Sequence, residues 1–126
     1  MAEASENGHA PQALVVEDDP AVGLAILRLL RKRGYEVKLV ASRAHAMEQT
    51  GNFDCAVVDL ELPDGNGVDI AERMIARDQT RVVVFFTGGH NAALVARAGA
   101  YGPIVTKGAD LHELERTLAE QLGRVR

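Results

Sequence analysis

Glu17, Asp18, Asp59, Thr87 and Lys107 stand at or just after short apolar runs of the chain. Carboxylates gathered in one place repel and raise each other's pKa unless a cation lies among them. A hard divalent ion meets that need, because Mg²⁺ takes octahedral oxygen ligands, commonly one or two carboxylates with waters and a phosphate oxygen. Asp18, Asp59 and a backbone carbonyl near Glu61 suit it, with Glu17 reached through water. Lys107 adds a compact ammonium and Thr87 a hydroxyl, both able to contact an oxyanion. This is the inventory for phosphoryl transfer to a carboxylate: Asp59 attacks, while Mg²⁺ and Lys107 neutralise charge on the phosphoryl oxygens. The product is an acyl phosphate, labile to water, and hence a timer rather than a store.

The elements that must bring these residues together are legible as an alternation. Apolar, β-branched runs occur at Ala13–Val16, Val37–Val40, Cys55–Val58 and Val82–Phe86, with a weaker one at Ile104–Thr106. Runs that are apolar throughout read as strands covered on both faces. Helical spacing lies between them. Asp19-Pro20 caps and opens a segment with Val22, Ile26, Leu29 and Leu30 on one face. Ser42 caps a second segment reaching about Thr50, and Gly67 to Asp78 carries Ile70, Met74 and Ile75. Asn91 caps an Ala-rich helix to Ala98, and Asp110 opens a last one with Leu111, Leu114, Leu118 and Leu122 in register. The short connections imply right-handed crossovers in an α/β fold, a doubly wound five-stranded parallel sheet of flavodoxin-like order 2-1-3-4-5 with helices on both faces. The crevice of such a sheet lies beyond the carboxyl ends of its strands, where the five residues fall.

Composition narrows the function classes. The chain has 126 residues, 47% of them hydrophobic and 25% charged, enough for one packed domain and too few for two. With 14 Lys+Arg against 18 Asp+Glu, the net charge of −4 argues against nucleic acid or an anionic membrane as the primary partner. The apolar runs are too short to span a bilayer, the single Cys55 cannot form an internal disulfide, and Met1 to Glu6 lacks the pattern of a secretory signal, so the expectation is a cytoplasmic protein. Residues 1–12 read as a flexible arm and 13–126 as the folded domain.

With those residues in place, the sequence resembles the receiver domains of bacterial two-component response regulators. The likeness is carried by Leu14-Val15-Val16-Glu17-Asp18-Asp19-Pro20, Val57-Val58-Asp59-Leu60-Glu61-Leu62-Pro63-Asp64-Gly65-Asn66-Gly67, Phe86-Thr87-Gly88 and Lys107. The resemblance implies phosphotransfer onto Asp59 from a sensor histidine kinase or a histidine phosphotransfer protein. It further implies that Thr87 moves to the phosphoryl group, repositioning the face of the fourth helix, fifth strand and fifth helix for a downstream protein target or a homodimer. No output segment follows, which suggests a stand-alone receiver.

Two positions depart from the family pattern: Gly108 follows Lys107 where proline is usual, and Ile104 occupies the place of an aromatic, for which Tyr101 is a substitute. Gly88-Gly89 gives the loop after Thr87 unusual backbone freedom. Asp64-Gly65-Asn66-Gly67 reads as turn chemistry alone. Cys55 reads as a small buried hydrophobe, and His9, His45, His90 and His112 have no ligand spacing, although His90 lies near Thr87. Two other functions compete. A small aspartyl-nucleophile phosphatase wants a second Asp where this chain has Glu61, and a receiver-like binding module would work without phosphotransfer.

Overall fold

The computed structural model describes residues 9–89 and 91–125; most of the arm, His90 and Arg126 lie outside the described residues. Strands β1 (Gln12–Val16), β2 (Glu36–Val40), β3 (Cys55–Val58), β6 (Val83–Thr87) and β7 (Ile104–Thr106) form one sheet in the order β2-β1-β3-β6-β7. All four pairings are parallel. Counting sheet strands alone, this is the expected 2-1-3-4-5 order. A short antiparallel hairpin, β4 (Glu61–Leu62) and β5 (Gly65–Asn66), interrupts the alternation.

Successive residues of each strand feed opposite cores, as strand geometry dictates. Leu14, Val16, Val58 and Phe85 pack with α2 (Arg43–Met47), α3 (Gly67–Ala76) and α4 (Ala92–Ala98). Ala13, Val15, Val57 and Phe86 pack with α1 (Pro20–Lys32) and α5 (Leu111–Arg124), through Ile26, Leu30, Leu114 and Leu118. Because β1, β3 and β6 are buried on both faces, their sequences carry no polar alternation. Cys55 is one of these buried residues, and burial pushes its thiol well up, as befits a packing residue. Among the described residues, no helix is long and apolar enough to cross a membrane.

Several boundaries differ from the sequence expectation. Gln12, placed in the arm, opens β1 opposite Glu36, which opens β2, and β6 starts after Val82 and runs through Thr87, which pairs with Thr106. Helix α2 stops at Met47 rather than near Thr50. The buried Gln79 captures the following segment: its side-chain amide donates to Gln49 O at 2.8 Å and Gly51 O at 3.2 Å, while its carbonyl accepts from Phe53 N at 2.7 Å. Helix α3 ends at Ala76 because Asp78 adopts φ 54°, which an Asp tolerates and a helix does not. The 64–67 stretch does more than turn. Asp64 accepts from the N–H groups of Arg43 and Ala44 at 2.8 and 2.9 Å, capping α2 from a distance, and Asn66 caps α3 through the Asp69 N–H at 3.0 Å. Gly67 is obligatory, since a Cβ there would lie 2.0 Å from Asp59 O.

Candidate functional site

Each site residue sits where a parallel strand gives way to a loop, and backbone bonds to the neighbouring strand fix it. Glu17 N donates to Val40 O at 3.0 Å, Asp59 N to Val16 O at 3.1 Å and Lys107 N to Thr87 O at 3.0 Å. The register thereby sets the carboxyl ends of β1, β3, β6 and β7 side by side. Asp19 is occupied elsewhere, accepting from Ala21 N and Val22 N as the N-cap of α1.

Glu17 and Asp59 are only 3% and 5% exposed, and Asp18 is the most open of the three acids. One carboxylate oxygen from each of Glu17, Asp18 and Asp59 lies within 4.8 Å of the others. Two buried carboxylates at that separation need positive charge, and Lys107 supplies it. Its Nζ donates to Asp59 Oδ2 at 2.7 Å and to Glu17 Oε2 at 3.1 Å, and it lies 2.8 Å from Glu17 Oε1 as an ion pair. The same Glu17 Oε2 also takes the Asp19 N–H at 3.1 Å, and Asp59 Oδ1 takes the Glu61 N–H at 3.2 Å. Burial raises the Glu17 carboxyl above its ordinary range; the hydrogen bonds from Lys107 and the Asp19 N–H offset this only partly, and the Asp59 charge adds to the rise. Burial alone would lower Lys107, but its bonds to Asp59 and Glu17 prevail and hold the ammonium above its ordinary value.

Thr87 is buried at the end of β6, and its hydroxyl oxygen accepts from Gly89 N at 3.1 Å. Its own proton has no acceptor among the described residues and can be donated to an incoming oxyanion. Glu61 is exposed at the start of the hairpin, and its carboxylate does not join the cluster of three. It lies instead against Gly89, where a Cβ would come within 2.6 Å of it. Neither Gly88 nor Gly89 has a positive φ, so the glycine at 89 is explained by this close approach rather than by backbone conformation. The Lys107–Gly108 bond is trans, as is every described peptide bond. Tyr101 packs against the core on the α2–α3–α4 side of the sheet, where burial and the Glu72 charge raise its phenol.

Sequence reasoning missed the direct Lys107–Glu17 contact, which spans 90 positions of the chain. It also missed a chain of ion pairs across the helical layer. The Arg43 guanidinium reaches Asp69 at 3.1 Å, and that of Arg97 reaches Asp69 at 3.2 Å and Glu72 at 2.8 Å. The sole local signal for these pairs is the spacing of Asp69 and Glu72, which places both on one side of α3.

A family model, the response regulator receiver domain, matches residues 13–119. The chain belongs to the response regulator receiver family. It is 33% identical to the acid tolerance regulatory protein ActR of Rhizobium meliloti (strain 1021), over 94% of this chain and 68% of that protein. It is 30% identical to the photosynthetic apparatus regulatory protein RegA of Rhodobacter capsulatus, over 92% of this chain and 65% of that one. The receiver thus spans about two thirds of the length of these curated relatives. Two solved structures share the fold: a CheY-like receiver domain protein of Methanospirillum hungatei JF-1 (TM-score 0.78, 23% identity, 91% of this chain and 95% of that one) and TrrA of Thermotoga maritima in complex with Mg²⁺ and BeF (TM-score 0.78, 21% identity, 88% and 98%). Receivers of this family are in general signalling domains of two-component systems.

Proposed function

We propose that this receiver accepts a phosphoryl group on Asp59 from the phosphohistidine of a sensor kinase or a phosphotransfer protein. An Asp59 oxygen forms the new P–O bond as the P–N bond to the donor imidazole breaks, and the imidazole leaves with the electron pair and takes up a proton. The observation that carries this is the pairing of Lys107 Nζ with Asp59 at 2.7 Å and Glu17 at 2.8 Å, inside a cluster of three carboxylates. The donor set is all hard oxygen, two of the three groups are buried, and so the cluster fits Mg²⁺. Glu17, Asp18 and Asp59 would hold it, together with the backbone carbonyl at Glu61. When bound, the ion supplies divalent charge against the phosphoryl oxygens.

Lys107 neutralises a second phosphoryl oxygen, and Thr87 donates the proton of its hydroxyl to a third once the group has arrived. Output runs through the face of α4, β7 and α5 to a protein partner in the cytoplasm or to a second copy of the domain. The exposed Ala92, Val95 and Ala96 of α4 suit such a contact. Acetyl phosphate with Mg²⁺ tests the chemistry. The intact mass should rise by one hydroxylamine-sensitive phosphoryl group, and Asp59→Asn or chelation of Mg²⁺ should abolish the gain. An unchanged mass in the native protein would refute the proposal, whereas multiple turnover of a phosphate monoester would point to a phosphatase.

A further inference from the structure

Helix α4 is lightly seated in the α2–α3–α4 layer. It has seven residues, of which Leu94 and Ala98 enter the core while Ala92, Ala93, Val95, Ala96 and Arg97 are exposed. So little buried apolar surface leaves polar tethers a large share in holding its position. Arg97 is that tether, bridging to Asp69 at 3.2 Å and Glu72 at 2.8 Å on α3. Asp69 is shared. Its other carboxylate oxygen receives Arg43 at 3.1 Å and the Asn66 amide at 3.3 Å.

Arg43 in turn rests on the hairpin that leaves Asp59. Gly65 has φ 152°, and a Cβ on it would lie 2.3 Å from Arg43 Cδ, so the arginine stem lies flat on the hairpin tip. Asp64 beside it grips the backbone N–H groups of Arg43 and Ala44. At the other end of the hairpin, the Glu61 N–H donates to Asp59 Oδ1 at 3.2 Å. The contacts are therefore unbroken from Asp59 through the β4–β5 hairpin, Arg43 and Asp69 to Arg97 on α4. A phosphoryl group on Asp59 changes the charge that this first N–H meets.

We propose that the hairpin and the Arg43–Asp69–Arg97 relay form a second mechanical route from the phosphorylation site to α4, parallel to the one through Thr87. This rests on the phosphoacceptor reading above. Arg43 and Asp69 are positioning residues in it, since neither touches the reacting atoms.

The test is hydrogen exchange of the α4 amides, followed by mass spectrometry in the full chain, with and without acetyl phosphate and Mg²⁺. In the unphosphorylated protein, Arg97→Gln should speed α4 exchange by about two- to five-fold, the factor appropriate to a pair of partly exposed ion pairs. Arg43→Gln should phosphorylate to the native stoichiometry yet lose at least half of the phosphorylation-linked change at α4. Arg43→Lys, which keeps the charge and the stem, should recover most of it. A change at α4 equal in Arg43→Gln and the native chain, at equal phosphoryl incorporation, would overturn the relay while leaving the phosphoacceptor reading intact. Failure of Arg43→Lys to recover the change that Arg43→Gln loses would also overturn it. Absence of phosphoryl incorporation in the native chain would remove the foundation of both.

Discussion

Lys107→Met is the substitution that most directly probes the electrostatics of the site. Methionine keeps the length and apolar stem of lysine but strips the charge that faces Glu17 and Asp59. Removing one partner of a fully buried ion pair costs about 3–5 kcal/mol, because the remaining charge stays desolvated. Here the carboxylates are nearly inaccessible while the Lys107 side chain is 25% exposed, so water reaches the vacated position and the cost shrinks. A value of about 2 kcal/mol is expected at neutral pH in the presence of a chelator, and with an m-value of roughly 1.5 kcal/mol per molar urea the midpoint should fall by about 1.3 M. Urea unfolding followed by circular dichroism measures it. Glu17→Gln in the Lys107→Met background should return about half of the loss, since a single buried carboxylate no longer faces a like charge. Millimolar Mg²⁺ should stabilise Lys107→Met more than the native protein, because the ion restores the missing positive charge. A Lys107→Met midpoint equal to the native one in chelator, with equal response to Mg²⁺, would refute the view that two compensated buried carboxylates form the centre of this site.

Other consequences follow from single contacts. Gly67→Ala should lose about 3 kcal/mol or fail to fold, since its Cβ would meet Asp59 O at 2.0 Å and neither backbone can yield; thermal unfolding reads this directly. Tyr35→Phe should be neutral or stabilising by up to about 1 kcal/mol, because the Tyr35 hydroxyl is buried with no partner among the described residues; a clear loss in urea unfolding would reveal a bond to that oxygen. Burial works against charge on Asp69, but the hydrogen bonds from Arg97 and Arg43 outweigh it and hold the carboxyl below its ordinary range. A depressed folded-state pKa means stability present above the unfolded value and lost as pH falls through the folded one. The stability gap between the native chain and Asp69→Asn should thus be open at pH 6 and close as the pH falls below about 4, checked by unfolding across that range.

The strand order and the residues at the strand ends were legible because each depends on short-range pattern. Cys55–Val58 is apolar throughout and Asp59 ends it abruptly, a signal contained within five consecutive positions. The caps at Asp19, Ser42, Asn91 and Asp110 were equally local, each accepting from an N–H two or three residues on. The end of α2 was not local. Periodicity continued to Thr50, yet a glutamine from beyond α3 held the backbone of Gln49 and Gly51 and stopped the helix. Nor was the hairpin at Glu61–Asn66, whose two-residue strands are too short to show alternation.

By itself the sequence determined that Glu17, Asp18, Asp59, Thr87 and Lys107 stand at one end of the sheet. Parallel strands joined by right-handed crossovers place every carboxyl end on one side of the sheet, and each of these residues stands at such an end. Only the tertiary structure decided which side chains touch: that Lys107 grips Glu17 as well as Asp59, that Glu61 turns toward Gly89, and that Asp69 joins Arg43 to Arg97. The reason is physical. Backbone register follows from patterns a few residues long, whereas the direction of a long charged side chain follows from the partners that distant segments bring within hydrogen-bonding reach.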